Sequence, residues 1–193
     1  MPKSRKLNPI ERADLKLADK VALNKRGLAG RWTARFAELG DQPQLIALTI
    51  GVVATGLIRR DERMARTGLR MLTAHSLATM AKLMVKDQVD RTRPGALKEK
   101  SYRMEEGESR DGRLRSMPSG HSAGAAGVAG AAMVDYPGVA APAGLAAAAI
   151  AAAQPASRNH YITDVLVGVG VGVAVSGVAR LLVPPQDKIE RSR

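Results

Sequence analysis

The chain has 193 residues, no cysteine, and 30 Lys and Arg against 18 Asp and Glu, which gives a formal net charge of +12. This length has room for one domain, and the lack of cysteine excludes disulfides, thiolate nucleophiles and cysteine-based zinc sites. Aromatic residues make up only 3% of the chain while Ala, Gly and Val are abundant, which suits helices packed closely in lipid better than a bulky soluble core.

The high positive charge admits nucleic acid, an anionic membrane surface or a phosphorylated substrate as a partner. No zinc-finger pattern, aromatic RNA-binding signature or leucine heptad accompanies the basic residues, so we expect no nucleic-acid partner. The mean hydropathy of −0.13 looks too polar for a membrane protein. That average hides a sharp separation between charged blocks and long apolar runs.

The first predicted segment, residues 1–40, is rich in Lys and Arg and carries regularly spaced apolar residues. These residues recur at helical intervals: Leu17, Val21, Leu28, Trp32 and Phe36. The pattern predicts a basic amphipathic helix, interrupted near Gly27 and Gly30, which either lies on anionic lipid as an interfacial anchor or packs on the rest of the domain. The first long apolar run begins only near Leu45, so we expect no cleaved signal peptide.

The second predicted segment, residues 41–185, is a membrane domain with about five core helices. Its apolar stretches cover residues 45–58, 67–85, 121–134, 139–153 and 164–183. The first stretch is short for a bilayer span, so its helix must borrow from residues 41–44, lie in a thinned region or be buried against others. The second contains His75 and Lys82, which must face the bundle interior.

Breaks and small residues define how the later helices pack. Pro137 and Gly138 separate the third stretch from the fourth, and Gly168 with Gly172 gives the fifth a small-residue face for close packing. Residues 186–193 form a charged tail. The fold class is therefore all-α, an integral membrane bundle of about five core helices with an N-terminal amphipathic interfacial helix.

Residues 86–119 connect the second and third helices and show no periodicity. The sequence predicts a loop, which at this length is either functional, as a lid or substrate-binding segment, or partly disordered. An acidic group within it could bind a cation, but we interpret it as solvated: Glu105, Glu106 and Glu108.

Three polar clusters fall at helix ends that share one face of the bundle if successive helices alternate in direction. Cations and the N–H groups at a helix start bind phosphate oxygens. A neutral imidazole oriented by a carboxylate is a nucleophile, and a second imidazole can protonate the departing oxygen. The clusters supply all of these groups and therefore favour phosphoryl transfer. In chain order they contain the motifs Lys86-x6-Arg93-Pro94, Pro118-Ser119-Gly120-His121 and His160-x3-Asp164.

This ordered pattern resembles the three-part signature of the type 2 phosphatidic acid phosphatase superfamily, over roughly residues 40–183. The resemblance implies that His160 attacks phosphorus, that Asp164 orients and charges it, and that His121 is the general acid. It implies neither a metal nor another cofactor. The implied ligands of the phosphoryl oxygens are Lys86, Arg93, Ser119 and the Gly120 backbone N–H.

The third motif departs from the family pattern, in which an Arg stands six residues before the nucleophilic His. Gln154 occupies that position here, and a Ser157-Arg158 pair lies only two residues before His160. Either a shortened loop lets Arg158 bind the phosphate, which we favour, or Gln154 replaces the cation with a neutral donor.

The resemblance implies a membrane-bound, metal-independent phosphatase that hydrolyses a lipid phosphate or lipid pyrophosphate through a phosphohistidine. We expect a polyprenyl or glycerophospholipid substrate and a multi-pass protein of the bacterial inner membrane that contacts membrane lipid and could form a homo-oligomer. Two alternatives stay open. One is a non-catalytic basic membrane protein with a decayed site, which Gln154 makes credible, and the other is a vanadate-dependent haloperoxidase, whose site has the same residue pattern.

The distribution of basic residues bears on which side of the membrane the site faces. If five helices cross, the N-terminal segment, residues 86–119 and Arg158 share one side and hold about 20 of the 30 Lys and Arg residues. Because basic residues in short flanking regions stay cytoplasmic, this count favours a site that faces the cytoplasm.

Overall fold

The computed structural model describes residues 7–24, 26–97 and 101–185. The predicted charged tail at 186–193 lies outside the described residues. Within them the chain forms seven α-helices and one two-stranded hairpin, which confirms the predicted all-α membrane bundle. The helices are α1 (Pro9–Val21), α2 (Leu28–Glu38), α3 (Gln42–Ile58), α4 (Glu62–Lys86), α5 (Gly120–Met133), α6 (Ala140–Ala156) and α7 (Ile162–Leu182).

The N-terminal segment forms two helices where the sequence predicts one interrupted helix. Asn8 and Glu11 begin α1 with reciprocal side-chain to backbone hydrogen bonds of 2.8 and 2.7 Å, and Gly27 precedes α2. On α2, Leu28, Trp32 and Phe36 are all exposed. An apolar face left open in this way suits an interfacial helix.

Several helices meet the requirements for crossing a bilayer. Residues Pro137–Ala156 and Ile162–Leu182 are long and apolar enough, and α2 with α3 passes the same test as one pair bent by 54°. Helix α3 begins at Gln42, so it does borrow the residues before Leu45. Helix α4 is long enough, with 25 residues and a length of about 37 Å, but its composition is too polar to pass the same test.

Of the two polar residues of α4 that the sequence predicts to face the bundle interior, His75 is buried and Lys82 is half-buried. His75 is 4% exposed, and neither ring nitrogen has a hydrogen-bond partner among the residues described. The ring packs against the backbone of a glycine, which offers it no side-chain partner. A Cβ on Gly124 of α5 would lie 3.2 Å from His75 Nδ1.

Helices α5 and α7 pack as closely as their small residues predict. A Cβ on Gly168 would lie 2.5 Å from the Ser119 carbonyl oxygen, and one on Gly172 would lie 2.5 Å from that of Ala123. Only glycine permits this approach. The contact fixes the start of α7 beside the start of α5.

The described part of the connection after α4 contains a pair of strands where the sequence predicts a loop. Strands β1 (Val89–Arg91) and β2 (Met104–Glu106) pair antiparallel, with Asp90 opposite Glu105. Strands of three residues are too short to show an alternating pattern, which explains the missed hairpin. Glu105 and Glu106 are exposed, as expected for solvated carboxylates.

Candidate active site

One end of the bundle holds a cavity of about 320 Å³ where the three sequence motifs meet. Helix α4 ends there, while α5 and α7 begin there, because successive helices alternate in direction. The motif residues that line the cavity are Lys86, Arg93, Gly120, His121 and His160.

His160 lies in the turn before α7 and is 1% exposed. Its Nδ1 lies 2.6 Å from the carbonyl oxygen of Ser116. A carbonyl oxygen only accepts, so Nδ1 carries the proton and Nε2 keeps its lone pair. Burial lowers the pKa of His160 to about 4; Asp164 opposes this shift, while Arg93 and Lys86 add to it. The ring is therefore neutral near pH 7 and able to act as a nucleophile.

Asp164, in the first turn of α7, holds His160 indirectly, through Ser116. Its Oδ2 lies 3.8 Å from His160 Nδ1, which is too long for a hydrogen bond. Ser116 connects them, since its hydroxyl donates to Asp164 Oδ2 at 2.6 Å while its carbonyl accepts from His160. The Tyr161 N–H also donates to Oδ2, at 2.9 Å. No feature of the sequence pointed to Ser116.

His121 lies in the first turn of α5 and also lines the cavity. Its ring centroid lies 6.4 Å from that of His160, close enough for both rings to act on one phosphoryl group. His121 Nε2 lies 3.1 Å from Oδ1 of Asp41, the residue that precedes α3. Sequence reasoning missed Asp41, although its position at a helix start on this face of the bundle was a usable signal.

The cavity contains more cations than the motifs supply. Lys82 lines it one helical turn before Lys86, a spacing that places both side chains on the same face of α4. A Cβ on Gly120 would lie 2.5 Å from Lys82 Cδ, so the glycine leaves the room that this side chain occupies. Lys86 Nζ donates to the Arg115 carbonyl at 2.5 Å, and the buried Nε of Arg93 has no partner among the described residues.

Ser119 is placed differently from Lys86, Arg93 and Gly120, which line the cavity. It is fully buried and absent from the cavity wall. Its hydroxyl lies 2.9 Å from that of Ser122, and it is the residue that caps α5. In this position Ser119 shapes the start of α5, which leaves the Gly120 end of the helix facing the cavity.

Neither candidate for the third-motif cation lies in the cavity wall. Arg158 Nη1 pairs with Asp19 at 3.2 Å, and its backbone, at φ 58°, turns so that its carbonyl accepts from the Gly95 N–H at 2.9 Å. Gln154 is fully buried and donates to the carbonyls of Ala37 and Ile150 at 3.4 and 3.3 Å.

The arrangement combines cations, a helix N-terminus and a neutral imidazole around one cavity, which suits a phosphoryl group. Among residues 7–24, 26–97 and 101–185, no group of three or more His, Asp or Glu side chains could hold a metal ion.

Comparisons with known proteins identify the family and the fold. A family model described as PAP2 superfamily matches residues 67–188. The first transmembrane PAP2 type phosphatidylglycerolphosphate phosphatase from Bacillus subtilis is similar in structure, with a TM-score of 0.68 and 21% identity over 97% of this chain and 90% of that one. LpxE of Aquifex aeolicus has a TM-score of 0.60 and 22% identity over 93% of this chain and 98% of its own. At these identities the likeness establishes the fold. No curated protein matches the sequence.

Proposed function

Since the chain belongs to the PAP2 superfamily, we propose that it is a bacterial inner-membrane phosphatase that hydrolyses a lipid phosphate or pyrophosphate through a phosphohistidine at His160. One observation carries the proposal: a neutral, oriented imidazole forms part of the wall of a cavity that also contains Lys82, Lys86 and Arg93. Such a cavity attracts a phosphate and presents a nucleophile to it.

The reaction proceeds in two displacements. In the first, the Nε2 lone pair of His160 attacks phosphorus, the bond from phosphorus to the leaving oxygen breaks, and His121 gives that oxygen a proton. In the second, His121 takes a proton from a water molecule, which attacks phosphorus and releases inorganic phosphate from His160. The carboxylate of Asp164, relayed by Ser116, offsets the positive charge that the ring carries as a phosphohistidine.

The cavity cations and the start of α5 stabilise the charge on the equatorial oxygens in both steps. Each charge-assisted hydrogen bond contributes about 1.5–3 kcal/mol. We assign to Lys82 the part that the family gives to the missing third-motif Arg, because Lys82 lines the cavity whereas Gln154 and Arg158 do not. On this assignment the site has its full set of cations and no metal takes part.

A second cavity, of about 340 Å³, bears on the substrate because His121 lines it too. Its charged and polar lining comprises two cations and one carboxylate from α2 and two polar residues that follow α6: Arg31, Arg35, Glu38, Ser157 and Asn159. A leaving group protonated by His121 would enter this space, whose lining favours a polar or anionic headgroup such as a phosphodiester or a second phosphate. The similar structure from Bacillus subtilis is a phosphatidylglycerolphosphate phosphatase, which supports the same substrate class.

The test is phosphate release by detergent-purified protein from phosphatidic acid, phosphatidylglycerol phosphate and undecaprenyl pyrophosphate, with a chelator present throughout. We expect release that the chelator does not reduce, that vanadate inhibits and that His160→Ala abolishes. Release that survives in His160→Ala, or that requires added metal, contradicts the proposal. Halide oxidation on addition of vanadate would favour the haloperoxidase, and no release from folded protein would favour a decayed site.

A further inference from the structure

Arg91 joins the active site to the N-terminal helix α1. Its Nη1 donates to Oδ1 of Asp164 at 2.5 Å, and its Nη2 donates to Oδ2 of Asp14 at 2.7 Å. Arg91 is 1% exposed, Asp14 3% and Asp164 fully buried. One guanidinium is thus shared by two carboxylates inside the protein, one from the catalytic helix and one from a helix outside the matched family region.

Asp14 also holds the start of α7 directly. Its Oδ1 accepts from the backbone N–H of Thr163 at 3.3 Å, and its Oδ2 accepts from the Thr163 hydroxyl. The residue that precedes α7 is Tyr161, which is not among the residue types that cap a helix well. A carboxylate near the first N–H groups stabilises a helix start through hydrogen bonding and the helix dipole. Within α7 itself, Asp164 accepts from the Tyr161 N–H, and helix α1 adds through Asp14 the acceptor for the next free N–H group, that of Thr163.

Aromatic residues complete the setting of Arg91. The guanidinium carbon lies 4.3 Å from the ring centroid of Tyr161, and Tyr102 meets that ring edge-on at 6.0 Å. The Tyr102 hydroxyl lies 3.4 Å from Glu11 Oε1, so a second buried residue of α1 faces the same cluster. These contacts enclose the Arg91 side chain, and its hydrogen bond to Asp14 sets the direction of Nη2.

We infer that Asp14 is a positioning residue for the phosphatase reaction: it acts through Arg91 and Thr163 to hold Asp164, and through Asp164 and Ser116 to hold His160. This inference rests on the proposed function. It makes α1 part of the active-site framework, because loss of the Asp14 carboxylate leaves Arg91 with Asp164 as its one buried carboxylate partner among the described residues and removes an acceptor from the first turn of α7.

The experiment compares the full-length variants Asp14→Asn, Asp14→Glu and Asp19→Asn in detergent. Asp19 is the matched control, a carboxylate of the same helix that is exposed and pairs with Arg158 at the surface. Each variant is assayed for kcat and KM with the best lipid phosphate. Each is also examined by hydrogen exchange of the backbone amides in residues 160–166, which reports the start of α7 without needing activity.

We expect Asp14→Asn to lower kcat by about 10- to 100-fold with little change in KM, because the cavity cations that bind phosphate stay in place. Asp14→Glu should restore part of kcat, and Asp19→Asn should stay within about twofold of wild type. Exchange of residues 160–166 should accelerate in Asp14→Asn only. The inference is overturned if kcat is unchanged in Asp14→Asn. It is also overturned if kcat falls only in proportion to the loss of folded protein and Asp14→Glu does not restore it.

If the wild-type protein releases no phosphate from any substrate, the result contradicts the proposed function and not the role of Asp14. In that case the exchange measurement decides the role of Asp14 by itself. Faster exchange in Asp14→Asn than in Asp19→Asn shows that Asp14 holds the start of α7, and equal exchange in the two variants overturns it.

Discussion

The two ends of the bundle each contain a fully buried arginine paired with a buried aspartate, yet they differ in what surrounds the pair. At one end Arg70 meets Asp135 at 2.5 Å, and at the other Arg91 meets Asp164 at the same distance. Around Arg70 the remaining contacts are structural: its Nε donates to the Val183 carbonyl at 2.7 Å, and Thr67 donates to Asp135 at 2.6 Å. Asp135 thereby ties α4 to the turn after α5.

The second pair stands beside a histidine and an open cavity. Asp164 lies 3.8 Å from His160, and His160 lines the cavity with cations that include Lys82. A buried ion pair is therefore no sign of catalysis by itself. The end that holds the active site differs in having an excess of positive charge around a cavity that is large enough for a substrate phosphate.

The largest expected effect separates the two aspartates by activity. Asp164→Asn should lower kcat by about 10³- to 10⁴-fold, as is typical for a carboxylate that holds a catalytic imidazole. Asp135→Asn should leave kcat per folded molecule nearly unchanged, because the Asp135 end contributes nothing to the cavity wall. Phosphate release normalised to folded protein measures both. Equal losses of kcat would show that the ends do not differ in this way.

The next expected effect concerns stability, and here Asp135→Asn should be the more damaging of the two substitutions. Asp135→Asn leaves the buried Arg70 without the carboxylate it contacts and should cost about 3–5 kcal/mol in the free energy of unfolding. Asp164→Asn should cost less, since Arg91 keeps Asp14 as a second carboxylate. Unfolding followed in the same detergent compares the two variants, and a larger loss for Asp164→Asn contradicts the comparison.

Acid should destabilise the site end through His160. The folded pKa of His160 is about 4 against an ordinary 6.5, so the unfolded chain binds its proton at a higher pH than the folded protein does. His160 therefore contributes full stability above pH 6.5, and about 3 kcal/mol is lost as the pH falls from 6.5 to 4. Activity, which needs the neutral ring, should persist below pH 6.5 and fall near pH 4. In His160→Gln this part of the stability change should disappear; an unaltered acid profile contradicts it.

Cavity cations should matter more than surface ones of equal charge. Lys82→Met should lower kcat/KM by about 10- to 100-fold, the equivalent of one charge-assisted hydrogen bond to the phosphoryl group. Arg158→Met removes a cation that pairs with exposed Asp19 and should change kcat/KM by less than about fivefold. Kinetics with a single substrate compare the two variants. A loss confined to Arg158→Met would restore the sequence-based assignment of the third-motif cation and remove Lys82 from the site.

The sequence was informative where local pattern and chain order decide the structure. Apolar stretches located the five core helices, and alternation of helix direction brought the motifs of Lys86, His121 and His160 to one end. Lys82 was within reach of the same reasoning, because it stands one helical turn from Lys86.

Other parts of the site depend on tertiary contacts that no local pattern contains. Ser116 contributes through a backbone carbonyl, and Asp14 acts across about 150 residues of chain on the first turn of α7. Ser119 shows a further limit, since a serine before a helix can bind a ligand or cap the helix, and only the structure shows its hydroxyl turned toward Ser122. Arg158 likewise has the right residue type, but its side chain follows a turn that directs it to Asp19.

The most direct test of the account is to trap the phosphorylated enzyme with a radiolabelled lipid phosphate, quench it in alkali and identify the labelled peptide. A phosphohistidine is stable to alkali and labile to acid, which separates it from a phosphoserine or an acyl phosphate. We predict label on the peptide that contains His160 in wild type and none in His160→Ala. Label on another residue, or rapid phosphate release with no trapped phosphohistidine in wild type, would contradict the central claim.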